Sequence, residues 1–172
     1  MSVFSRVSPP KIRRSAFNLS YDKKFNCDMG QLIPVMADEV VPGDVFNIGN
    51  EIVIRLQPLV APVLHEINVY VHYFFVPYRL LWHDSDDVNW ENFITGGEDG
   101  NDASTLPRWN PTNNGKYSLW DYLGFPIGVK PNGALPLSFP KRAYNMIWNE
   151  YYRDENLQDE VDIVTGKQVV LS

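Results

Sequence analysis

The chain has 172 residues, enough for one domain with a real core, and 44% are hydrophobic and 13% aromatic, which excludes an intrinsically disordered protein. Its net charge of -6 hides an asymmetry: residues 1–25 carry six bases (Arg6, Lys11, Arg13, Arg14, Lys23, Lys24) against Asp22 alone, while the remainder is strongly acidic. A basic arm on an acidic body points to a polyanion or an acidic partner surface, with a solvated terminus as the plainer alternative.

Within the arm, Lys11, Arg13, Arg14, Lys23 and Lys24 alternate with Phe17, Tyr21 and Phe25. Charge for phosphates and rings for unpaired bases is the chemistry of single-strand binding. Cys27 is the single cysteine, so an intrachain disulfide and a cysteine zinc site are both excluded. The N-terminus lacks the apolar core of a secretion signal, and no apolar run reaches the ~18 residues of a spanning helix. These features suit a soluble protein made in a reducing compartment.

Residues 32–41 read as extended and end at the turn Pro42-Gly43-Asp44. Phe46, Ile48, Ile52, Ile54 and Leu56 then alternate with Asn47, Glu51 and Arg55, which predicts a half-buried strand. A stronger strand follows at 66–76. Ile67, Val69, Val71, Tyr73 and Phe75 form one face, and Asn68, Tyr70, His72 and Phe74 form the other. Both faces suit protein contact, inside a sandwich or between subunits. Residues 84–140 are rich in Gly, Pro and Asn yet carry many aromatics, as an ordered insertion would. One short helix is expected there at 118–123, capped by Ser118 and stopped by Gly124.

In 142–159, Tyr144, Ile147, Trp148 and Tyr151 recur at helical spacing, with Pro140 in the first turn. The expected helix buries those rings and leaves Arg142, Asn145, Asn149, Glu150 and Arg153 on other faces. Glu150 and Asp154 share a face, but Arg153 can pair with Glu150, which argues against a catalytic carboxylate pair. The tail predicts a hairpin turning near Thr165-Gly166. The chain thus divides into a basic arm (1–25), first strands (26–83), a loop-rich insertion (84–140), and an amphipathic helix with the start of a hairpin (141–172).

Chemical motifs are missing. His65 and His72 fall on opposite strand faces, His83 has no patterned partner, and there is no HExxH, phosphate loop or nucleophile elbow. The acidic run at Asp84 lacks the glycine and glutamate of a calcium loop. No catalytic, cofactor or metal residue is assigned, and no cofactor is expected.

Four blocks together resemble the major capsid protein of the microviruses, small single-stranded DNA phages, and its gokushovirus branch in particular. They are RSAFNLSYDKKFNCDMGQLIPVMADEVVPGDVFNI (14–48), HYFFVPYRLLW (72–82) with WENF (90–93), YSLWDYLGFPIG (117–128) and RAYNMIWNEYYRDENLQD (142–159). The resemblance implies a mainly β viral jelly-roll sandwich, present here as its N-terminal strands, with long loop insertions and a few short helices. It also implies a structural protein, not an enzyme, that assembles in the host bacterial cytoplasm into a T=1 virion capsid around single-stranded DNA. Implied partners are other copies, the remainder of the capsid polypeptide, the DNA and a small basic packaging protein, with no membrane insertion. Family members are several times longer, so this chain is expected to be an N-terminal portion. Lys11, Arg13, Arg14, Lys23 and Lys24 would contact DNA or packaging protein. Tyr73, Phe75, Trp120, Tyr144, Ile147, Trp148 and Tyr151 would pack in the core or between subunits. Two other classes remain open: a jelly-roll carbohydrate-binding module or glycosidase fragment stacking sugars on Trp109, Trp120 and Trp148, and a free single-strand-binding protein using the arm.

Overall fold

The computed structural model describes Arg13 and residues 15–84, 89–100, 106–128, 135–166 and 170–171. Among the described residues, four short helices and one π-helical turn follow in order: α1 (Tyr78–Leu81), α2 (Trp90–Thr95), α3 (Leu119–Tyr122), α4 (Phe139–Ile147) and the π-turn (Trp148–Tyr152).

Local chemistry explains the short helices. The Asn89 side chain accepts from Asn92 N at 2.8 Å to start α2, and Gly96 ends it at φ +78. At α3, Ser118 Oγ accepts from Asp121 N while the Asp121 carboxylate reaches back to Tyr117 N. Gly124, at φ +87, stops that helix as its sequence position predicts.

α4 begins at Phe139 with Pro140 in its first turn, and it lies between two apolar clusters. On one side Phe139, Ala143 and Met146 pack with Leu81 and Trp82. On the other, Tyr144 and Trp148 join Trp109, Leu119, Trp120, Val161 and Leu171. The Trp120 ring lies tilted over Phe125 at 4.5 Å and meets Trp109 edge-on at 5.0 Å, and its Nε1 donates to Pro126 O at 2.9 Å.

A helix buried on two sides has little polar face left. Arg142, Asn145 and Asn149 are therefore buried, against the expectation that they lie on other faces. Arg142 forms a bidentate pair with Asp84 and donates to Leu81 O at 2.9 Å. Asn149 donates to Val161 O at 2.7 Å and accepts from Val161 N at 3.0 Å, so its amide acts as one rung of a strand pair. The helical region also stops at Tyr152, short of Asp159. Arg153 turns to Gln158 O at 3.2 Å, and the expected pairing with Glu150 does not form among the described residues.

The two predicted strands, 46–56 and 66–76, carry no ladder hydrogen bonds among the described residues. Their apolar faces are exposed: Ile48, Ile52, Ile54 and Leu56 are each about half accessible. The expected half-burial of the first strand is therefore not met among the described residues. At the tail, Leu32 N donates to Leu171 O at 2.9 Å, and Leu171 is buried. A turn spans 163–165, while 167–169, where the second arm of the predicted hairpin falls, lie outside the described residues.

Candidate assembly surface

Residues 21–37 form a strap held over α3 by side chains. Lys23 donates to the carbonyls of Pro34 (2.9 Å), Val35 (3.1 Å) and Tyr122. Tyr122 Oη donates to Asn26 O at 2.6 Å, and Tyr144 Oη donates to Leu32 O at 2.9 Å. Desolvation holds the Lys23 ammonium below the usual lysine range, with Asp121 opposing it. A cavity of about 320 Å³ between strap and α3 is lined by Tyr21, Lys23, Val35, Asp38 and Tyr122.

Of the five bases assigned to a polyanion, Lys11 and Arg14 lie outside the described residues, and Arg13 and Lys24 are exposed. Lys23 differs, because its ammonium is committed to backbone carbonyls. Phe25 meets Tyr122 edge-on at 6.0 Å, whereas Phe17 is exposed.

Of the residues assigned to packing, Trp120, Tyr144 and Trp148 are in the core, Ile147 is half-buried, and Tyr73, Phe75 and Tyr151 are exposed. Of the exposed group, Tyr151 joins a ring cluster with His72, Phe74 and Tyr152. His72 stacks on Tyr152 at 5.9 Å, with its Nδ1 hydrogen-bonded to the Tyr152 hydroxyl at 2.6 Å. Phe74 meets Tyr151 edge-on at 5.2 Å, and Tyr151 meets Tyr152 at 4.9 Å. Such ring pairs contribute ~0.5–1.5 kcal/mol each beyond area burial. On the opposite face of the segment, Tyr73 Oη accepts from Asn50 Nδ2 at 2.6 Å. The surface thus pairs unladdered backbone with exposed apolar side chains, a combination that recruits further strands.

The sugar-stacking reading fails on geometry, since Trp109, Trp120 and Trp148 are all buried. No cluster of three metal-ligating side chains occurs among the described residues. None of their helices is long and apolar enough to cross a membrane. Sequence reasoning missed Lys141, Arg142, Asn145 and Asn149 as core residues, because their partners lie far along the chain or in irregular backbone. The one available signal was the i,i+4 spacing of Asn145 and Asn149 beside the aromatic stripe.

Burial pushes the Tyr144 hydroxyl up to about 12 from an ordinary 10.0, against a weaker lowering by the Leu171 amide. A raised folded-state value leaves stability intact below pH 10 and removes it as pH climbs through 12. The loss reaches about 3 kcal/mol, the free energy of a roughly hundredfold difference in proton affinity between the folded and unfolded chain. Urea unfolding at stepped pH checks this: Tyr144→Phe should flatten the decline, and an unchanged alkaline slope would refute the assignment. Tyr78, also pushed up to about 12 by burial and then by Glu39, remains in that variant and accounts for residual slope.

A family model described as capsid protein (F protein) matches residues 5–169, and the chain belongs to that family. Capsid protein VP1 of Chlamydia phage 1 is 42% identical over 178 residues, covering 95% of this chain and 28% of that protein. Capsid protein VP1 of Bdellovibrio phage phiMH2K is 33% identical, covering 95% and 30%. Capsid protein VP1 of Spiroplasma virus 4 is 27% identical, covering 91% and 28%. The chain therefore spans less than a third of the length of these curated relatives. No solved structure matches it.

Proposed function

We propose that this chain builds part of a structural capsid subunit that self-assembles into a small T=1 icosahedral shell around single-stranded DNA. Segments 46–56 and 66–76 are early strands of a jelly-roll sandwich and take their ladder partners from further capsid-protein strands. The observation that carries this reading is the pair of period-two segments left unladdered and exposed beside an ordered core. Two isolated strands do not make a stable sheet, and exposed apolar strands demand cover. The basic arm, through Arg13, Lys24 and the bases before them, lies toward the DNA or a small basic packaging protein. Virion localisation and assembly in the host cytoplasm follow from that role.

The test is a chimera in which residues 1–172 replace the matching stretch of the Chlamydia phage 1 capsid protein. Sedimentation and negative-stain imaging should show particles of uniform size. A soluble monomer that binds oligonucleotide would overturn the reading in favour of a free single-strand-binding protein.

A further inference from the structure

Segment 66–76 has a parity problem. Successive side chains of an extended chain point to opposite sides, so a slip of one residue exchanges its two faces. Among the described residues its main chain makes no hydrogen bond that would fix the register. Four rings fix it instead. His72 and Phe74, two residues apart on one face, both engage Tyr151 and Tyr152.

Those tyrosines are where they are because the helix changes pitch. Arg153 N donates to Trp148 O at 2.8 Å, an i→i+5 bond, so the last turn holds one residue more than an α-turn. In a continuous α-helix Tyr152 would stack over Trp148, four residues earlier, and be drawn into the core. Asn149, four residues after the buried Asn145, faces inward against Val161, and the added residue leaves Tyr152 at the core's edge and Tyr151 outside it. π-Bulges of this kind are frequent at functional positions.

We propose that the π-turn Trp148–Tyr152 is a positioning device for assembly: Tyr151 and Tyr152 clamp His72 and Phe74 and thereby set which face of segment 66–76 awaits the next capsid strands. The inference rests on the assembly reading above and names the residues that prepare this surface. The clamp holds the His72 face against the helical core. Val69, Val71, Tyr73 and Phe75 are thereby committed to the opposite, exposed side.

The test has two readouts. In the full chain, chymotryptic cleavage after Phe74, followed by mass spectrometry, measures the clamp, with cleavage after the exposed Leu64 as internal reference. The double variant Tyr151→Leu/Tyr152→Leu should be cut after Phe74 about ten-fold faster, with Leu64 unchanged and the tryptophan fluorescence of the core retained. Tyr151→Phe/Tyr152→Phe keeps the rings and should restore slow cleavage. In the chimera, the leucine pair should lower particle yield about ten-fold while the phenylalanine pair assembles. Unchanged cleavage in the leucine pair overturns the clamp. Faster cleavage with normal assembly overturns its positioning role. A parent chain that shows the protease contrast, but whose chimera forms no particles, overturns the assembly reading itself.

Discussion

Replacing Arg142 with methionine is expected to destabilise the chain by about 3–5 kcal/mol, because it leaves a partly buried carboxylate without its counter-charge. The Arg142 side chain is 5% exposed and that of Asp84 is 25% exposed. The guanidinium also satisfies Leu81 O, at the end of α1, so three bonds are lost together. The net value of the intact pair is a separate quantity. Desolvating both ions offsets much of their attraction, so Arg142→Met/Asp84→Asn should recover a large part of the single-variant loss. Urea unfolding followed by tryptophan fluorescence measures both. A single-variant loss below about 1 kcal/mol, the range of an exposed pair, would show that the site is solvated and the pair unimportant to the fold.

Trp120→Ala should destabilise by a similar amount, about 3–5 kcal/mol, through a different mechanism. Trp120 is 1% exposed, and its ring is enclosed by Trp109 and Phe125. Truncation opens a cavity between α3 and α4 and strips Pro126 O of its donor. Trp120→Phe keeps much of the volume and should lose clearly less, which separates the cavity from the hydrogen bond. Trp90, only half-buried at the edge of the second cluster, provides the comparison. Equal losses at positions 90 and 120 would contradict the placement of the core.

What the sequence disclosed depended on how local the cause was. α3 was legible because its cap, its apolar residues and its stop all lie within 118–124. The start of α4 was legible from Pro140, but its end was not: the change to a π-turn at Trp148–Tyr152 is something that helical periodicity does not encode. Period-two patterning marked 46–56 and 66–76 as strands, and among the described residues neither carries a ladder hydrogen bond. It could not say whether a neighbour covers them, since alternation records a preference for burial and not its fulfilment. Charge counting grouped Lys23 with the arm, although its ammonium faces Pro34, Val35 and Tyr122. The aromatic clamp was half legible. Of its rings only Tyr151 was assigned to packing, while the strand residues so assigned, Tyr73 and Phe75, lie on the face opposite His72 and Phe74.

The carbonyl cage around Lys23 divides the positive charge of the N-terminal region into two kinds. Exposed bases such as Arg13 and Lys24 act through water, where ions at physiological strength screen them beyond roughly 8 Å. Lys23 is partly desolvated and bonded at contact distance, so dissolved ions reach its field far less. It does the work of a fixed monovalent cation that the chain carries within itself. The proposed grip of the arm on a polyanion would therefore rise and fall with salt, while the strap held by Lys23 keeps its shape.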